Sequence, residues 1–265
     1  QIPPATVPHA RAAGPAPLRA RPVVAVHLRA LPPACHMLIA CTIVARNYLP
    51  HARVLTRSFL RHHPGGTVHV LLIDDEDAAL DTRGEPFRVL RLQEIGLDRD
   101  EVRRLAAIYD VVDLATSVKP PMQRWLLDRH VTHAIYLDPD IEIFAPLTDL
   151  AALAEARGVV LTPHTSVPVP RDGRRISTEE ILSAGVFNLG FVAVGPAAGP
   201  LLAWWWSQTR RHALADPGRM LFTDQRWMDL APAYFDPCVV KDPGLNVAYW
   251  NLHGRALTWT GTRYE

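Results

Sequence analysis

Lysine is nearly missing from this 265-residue chain: Lys119 and Lys241 are the only two among 28 basic side chains. Arginine supplies the rest, which marks a GC-rich coding sequence and carries no mechanism. Cysteine is scarce too. Cys35, Cys41 and Cys238 are odd in number and have no metal-ligand spacing, so the simplest reading is a reduced, cytoplasmic compartment. Acidic residues are absent before Asp74, whereas Arg11, Arg19, Arg21 and Arg29 fall early in the chain. Taking those four arginines from the net charge of +1 leaves about −3 from Met37 onward. Neither balance suggests a nucleic-acid partner. No apolar run reaches the roughly 18 to 20 residues that cross a bilayer as a helix. No transmembrane segment is expected, and a peripheral contact at the inner face of a membrane is compatible but not demanded. Internal repeats are lacking.

What is present suits a globular α/β chain. Apolar residues make up 48% and charged residues 21%, enough for a sizeable core. Residues 1–36 are rich in Pro, Ala and Arg and hold no aromatic residue. They are expected to be disordered or upstream sequence, with Met37 as the natural start and one domain over 37–265. From there the pattern predicts strands at Leu38–Val44, Thr67–Ile73 and Phe87–Leu92, and helices at Pro50–His62, about Asp98–Ala107 and about Pro120–His130. A strand then leads into Asp138. This alternation predicts a mostly parallel sheet with crossover helices. In the second half, Pro163–Ile176 reads as a mobile loop, Val186–Val194 as a strand and Ala197–His212 as a helix. Of Trp204, Trp205 and Trp206, two are expected in the core and one against a neighbouring element.

The most informative stretch is Tyr136-Leu137-Asp138-Pro139-Asp140. Residues i and i+2 of an extended chain share a face, so both carboxylates can reach one hard cation. Pro139 has no N–H for a ladder bond and fits a strand end. Such a pair suits Mg²⁺ or Mn²⁺ carried by a diphosphate. Two other Asp-x-Asp triplets exist. Asp98 and Asp100 read as a solvated helix start. Asp75 and Asp77 follow a strand and compete more seriously, with a helix opening as their bland alternative.

Four blocks in order resemble bacterial glycosyltransferases of the GT-A fold related to the family 8 retaining enzymes. They are Cys41–Tyr48, Tyr136–Asp140, Phe187-Asn188-Leu189-Gly190-Phe191 and Phe222-Thr223-Asp224-Gln225. Asn246–His253 fits the closing region of such domains. The resemblance implies a GT-A (Rossmann-like) nucleotide-sugar transferase fold and a metal pair, Asp138 and Asp140. Asp140 would be the more direct ligand, and Asp138 would be shared with the ribose side. It implies a nucleotide pocket that includes Ala45, Asn47 and Tyr48, with Asp75 as a further contact, and Asn188, Asp224 and Gln225 around the donor sugar. Lys119 is a candidate for donor phosphate; a solvated helix start is its alternative. A buried structural amide is the alternative for Asn188, and a helix N-cap for Asp224. In the relatives a late histidine within a His-Phe-x-Gly type segment completes the metal site. This chain lacks that segment, so His253 or water would fill the place and the domain reads as C-terminally incomplete.

The expected activity is transfer of a sugar from a UDP-sugar to a glycan, lipid-linked or small-molecule acceptor, with retention. Two rivals remain. A phosphohydrolase or phosphotransferase of the haloacid dehalogenase type also uses Asp-x-Asp, but on its first strand, where this chain has no aspartate. A non-catalytic glycan-binding domain of the same fold would bind sugar with Asp140 dispensable.

Overall fold

Every residue of β1 (Ile39–Val44) is buried, which is what an apolar, β-branched strand covered on both faces requires. The computed structural model describes residues 37–75, 80–129 and 131–262; the segment expected to be disordered lies outside them. After β1 come β2 (Thr67–Leu72), β3 (Arg88–Arg91), β4 (Ala134–Leu137), β5 (Val159–Pro163) and β6 (Phe187–Val194). A short hairpin of β7 (Ala215–Asp216) and β8 (Leu221–Phe222) precedes β9 (Cys238–Val239). The main sheet runs β3-β2-β1-β4-β6-β5-β9. β1 is parallel to β2 and β4, β2 to β3, and β5 to β9, while β6 is antiparallel to both β4 and β5. The architecture is therefore α/β with a mostly parallel central sheet, as the alternation predicts.

The helices are α1 (Leu49–His62), α2 (Arg99–Ile108), α3 (Val111–Ser117), α4 (Lys119–Leu127), α5 (Thr148–Arg157), α6 (Thr178–Ala184), α7 (Gly199–His212) and α8 (Ala231–Tyr234). Their starts follow local chemistry. Prolines occupy the first turns of α1 and α4, where a missing N–H costs nothing. Asp98 caps α2 by accepting the Glu101 N–H at 2.7 Å, so the helix-start reading of that triplet holds. Asp110 caps α3 from the Asp113 N–H at 2.8 Å, and Ser177 and Glu180 form a reciprocal capping box on α6. The sequence pattern predicts none of α3, α5, α6 and α8. α3 and α6 have seven residues each, too few for a clear helical period.

The pleat of β1 divides the core. Ile39, Cys41 and Ile43 face a cluster with Leu105, Met122, Tyr136, Val192 and Trp205. Ala40 and Val44 face another with Leu55, Phe59, Leu137, Leu150 and Phe191. α2, α3, α4 and α7 thus cover one face of the sheet, and α1 and α5 the other. Burying each large apolar side chain contributes roughly 1.5–3 kcal/mol before entropy is set against it.

The tryptophans depart from expectation. Only Trp205 is fully enclosed. Trp204 packs against Tyr234 and Phe235 at ring-centroid distances of 5.5 and 5.6 Å, and Trp206 lies under the Arg210 guanidinium at 5.8 Å. Successive helical residues turn by about 100°, so one position faces the sheet and its neighbours flank it.

Candidate active site

Asp138 sits one residue past β4, at its carboxyl end. Its N–H donates to the Gly190 carbonyl at 2.8 Å, and its own carbonyl accepts the Ile141 N–H at 3.1 Å. The second bond closes a turn with Pro139 at the position that favours proline. Because β6 runs antiparallel to β4, its N-terminal residues Asn188, Leu189 and Gly190 arrive beside this turn. Asn188 is buried, and its Oδ1 accepts the Gly190 N–H at 2.8 Å. The buried-amide reading therefore describes part of what Asn188 does.

Lys119 is the centre of the cluster. Its side chain is 2% exposed, so the solvated helix start is excluded. Its Nζ donates to the Leu189 carbonyl at 3.0 Å and lies 4.6 Å from the centre of the Tyr136 ring. It is 3.6 Å from Asp138 Oδ1 and 3.3 Å from Asp224 Oδ2. Burial pulls the Lys119 ammonium down, but the charges of Asp138 and Asp224 outweigh it and hold the amine above its usual range. Asp224 is equally enclosed, and burial pushes its carboxyl up to about 6 against the pull of Lys119. The 3.3 Å approach is an ion pair rather than an aligned hydrogen bond, and Asp224 Oδ2 has no hydrogen-bond partner.

Asp224 does not cap a helix. The short turn of 3₁₀ helix at Arg226–Leu230 starts from Gln225 with no side-chain cap. Gln225 instead ties two segments together: Oε1 accepts the Leu189 N–H at 3.2 Å and Nε2 donates to the Ala184 carbonyl at 2.9 Å. Thr223, next to Asp224, adopts a left-handed φ of 47°, a strained conformation of the kind that collects at functional sites.

Asp138 Oδ1 accepts the Tyr136 hydroxyl at 2.7 Å and faces Lys119, while Oδ2 takes neither contact. Burial, then the charge of Asp138, pushes the Asp140 carboxyl up; a backbone hydrogen bond, then the charge of His51, pulls it back. Two carboxylates on one turn, with Asp138 Oδ2 clear of Tyr136 and Lys119, fit a divalent cation that keeps diphosphate and water ligands. A third protein ligand is not there: among the described residues no group of three His, Cys, Asp or Glu converges. His253 is exposed on the 3₁₀ turn Tyr249–Gly254, so its expected place as a third ligand is corrected.

The remaining expected residues divide. Ala45 is buried at the end of β1, and Asn47 and Tyr48 are exposed on the 3₁₀ turn that follows. Tyr48 stacks on His51 with ring centroids 4.6 Å apart and planes at 21°. The charge of His51 acts on Asp140, which puts this loop on the Asp140 side of the cluster. Asp75 belongs elsewhere: its carboxylate is 0% exposed, paired with Arg46 and held by Arg91 Nη2 at 2.9 Å. Both its oxygens are engaged, so it braces β1 against β3, a correction to its nucleotide role. The helix opening at Asp75 and Asp77 lies outside the described residues.

Sequence reading missed Tyr136, although its i−2 spacing from Asp138 puts both on one face. It also missed Gly190. A Cβ there would lie 2.9 Å from Asn188 Oδ1 and 3.2 Å from Asp138 Oδ2. Gly190→Ala is expected to cost about 1 kcal/mol and to loosen the Asp138 turn; equal denaturant midpoints for variant and parent would refute this.

A cavity of about 450 Å³ opens on the cluster, lined by Asp138, Asn188 and Gln225 and by His164, Tyr249 and Trp250. No helix among the described residues is long and apolar enough to cross a membrane.

No protein-family model matches the chain. The uncharacterized protein YfnF of Bacillus subtilis (strain 168) is 20% identical over 228 residues, 84% of this chain and 75% of that protein. Among solved structures, the chain is similar to the galactosyltransferase LgtC in complex with donor and acceptor sugar analogs. The TM-score is 0.46 with 15% identity, over 77% of this chain and 73% of that one. It is also similar to apo mouse xyloside xylosyltransferase 1, at TM-score 0.45 and 14% identity over 78% of this chain and 85% of that one.

Proposed function

We propose that this protein is a metal-dependent glycosyltransferase that moves a sugar from a UDP-sugar donor to an acceptor hydroxyl with retention of configuration. One observation carries the reading. A buried lysine ties Asp138 to Asp224 directly behind a cavity, with Asp140 on the same turn. Asp138 and Asp140 would hold Mn²⁺ or Mg²⁺, which when bound supplies positive charge for the departing diphosphate.

In the transfer, the bond from the sugar's anomeric carbon to the diphosphate oxygen breaks. A bond to the acceptor oxygen forms, and the acceptor proton passes to the departing diphosphate. Lys119 is enclosed too deeply to follow a phosphate. It holds Asp138 and Asp224 in register by charge, and Tyr136 fixes the orientation of Asp138 Oδ1. Gln225 has both amide ends bonded, yet its carbonyl oxygen keeps a second lone pair. A neutral oxygen held rigidly beside an oxocarbenium-like carbon stabilises the developing charge. Asn188 lines the same wall; Asp224 is as enclosed as Lys119 and acts through it, holding the ammonium that faces Asp138. Ala45, Asn47 and Tyr48 are assigned to the nucleotide, on the side where His51 meets Asp140.

Calorimetric titration of UDP with and without Mn²⁺ tests this. The parent chain is expected to bind UDP more tightly with Mn²⁺. Asp140→Ala should lose at least tenfold in affinity, about 1.4 kcal/mol. Mn²⁺-independent UDP binding that Asp140→Ala leaves intact would sink the metal assignment. Glycan binding with Asp140 dispensable and no response to UDP would favour the non-catalytic domain.

A further inference from the structure

Part of the cavity wall carries none of the residues assigned to the donor. It is lined by Tyr249 and Trp250, by His164, and by Arg175 and Glu180. Tyr249 is 76% exposed, although its ring meets Trp250 edge-on with centroids 5.0 Å apart. A ring so open contributes little to a core. Behind it, Trp250 Nε1 and His164 Nδ1 are buried without hydrogen-bond partners, on rings whose centroids are 6.1 Å apart. Unpartnered buried polar atoms are few in folded proteins, and each calls for an explanation.

The charged residues are preorganised. Glu180 Oε1 accepts from Arg175 Nε at 2.8 Å and Nη2 at 2.6 Å, and Oε2 accepts the Ser177 N–H at 2.8 Å. The Ser177 and Arg175 hydrogen bonds hold the Glu180 carboxyl below its usual range, so it is an ionised acceptor at neutral pH. The capping box fixes it to the start of α6. It is a carboxylate anchored at a helix start beside a guanidinium, on a cavity wall that also carries Ile176, Tyr249 and Trp250.

We infer that this half of the cavity is the acceptor subsite and that the acceptor presents a pyranose ring to it. The inference rests on the transferase reading, which it narrows. A pyranose has an apolar C–H face that suits an exposed aromatic ring, and a rim of hydroxyls that suits a carboxylate–guanidinium pair. The indole N–H of Trp250 and the imidazole of His164 offer two further polar groups once a ligand reorders the wall. The volume of about 450 Å³ lies within the small-ligand range. A long apolar alcohol fits less well, because it would desolvate Arg175 and Glu180 without offering them hydrogen bonds.

The test is saturation-transfer NMR, backed by tryptophan fluorescence titration. The probes are methyl pyranosides of glucose, galactose, mannose and N-acetylglucosamine, each tried with and without UDP and Mn²⁺. At least one glycoside is expected to bind, and Tyr249→Ala should weaken it at least fivefold while UDP affinity stays within twofold. Trp250→Phe, which keeps a ring but removes the N–H, should also weaken it. UDP binding with no glycoside binding overturns the pyranose assignment and leaves the transferase reading standing. Glycoside binding indifferent to Tyr249→Ala overturns the location, as does farnesol binding in place of every glycoside. Tyr249-dependent glycoside binding without UDP binding supports the sugar site and sinks the transferase reading. Tyr249 is exposed enough for its variant to fold, which unchanged melting would verify.

Discussion

Lys119→Met is expected to destabilise the protein by about 3–5 kcal/mol, the usual cost of removing one partner from a buried ionic cluster. Lys119 and Asp224 have side chains only 2% and 1% exposed, so water cannot replace the lost ammonium. Asp138 and Asp224 would then face each other's charge without compensation. Asp224→Asn in the same chain should restore much of the loss, because it removes the stranded carboxylate. Urea unfolding of parent, single and double variants reads this directly. A single variant as stable as its parent would mean that Lys119 is not the cation holding the cluster. The deficit should also depend on pH. Asp224 titrates near 6 in the folded chain because it is buried, against about 3.9 when unfolded. The folded state therefore binds the extra proton between those values, and stability falls as pH rises through that window. Without Lys119 that fall deepens, so the variant's deficit is smaller at pH 4 than at pH 8.

Trp205→Ala is expected to cost about 3–5 kcal/mol through the cavity it leaves. Trp204→Ala and Trp206→Ala should cost distinctly less, because both rings are only partly buried. Trp205 also donates its indole N–H to the Asp224 carbonyl at 3.1 Å, so the packing of α7 supports the backbone that carries Asp224. Trp205→Phe separates the two effects. It keeps most of the volume and should recover most of the stability, yet it leaves the Asp224 carbonyl without that donor and should weaken UDP binding with Mn²⁺. Equal losses at all three tryptophans would refute the placement of Trp205 as the enclosed one.

Much of the scaffold was legible because local chemistry wrote it. Short, nearly continuous apolar runs rich in β-branched residues marked β1 and β2 to within a residue. Prolines in first turns and an aspartate cap marked α1, α4 and α2. The turn at Asp138 and Asp140 could be read the same way, because a strand end, a proline and an i, i+2 spacing are all local properties. Those features determined an α/β chain and put two carboxylates on one turn.

Tertiary structure decided what those carboxylates face. Whether β6 runs with or against β4 depends on a connection of some fifty residues, and no local pattern records it. That reversal is what delivers Asn188 and Gly190 to Asp138. Lys119 and Asp224 are 105 residues apart in the chain; as isolated letters each reads as a surface residue at a helix start. Burial makes them partners, since two charges withdrawn from water are tolerable only together. Asp75 shows the converse: a carboxylate at a strand end that looked available is taken by Arg46 and Arg91 from neighbouring elements. Residue type and spacing set the chemistry on offer, and desolvation in the folded chain selects which groups must answer one another.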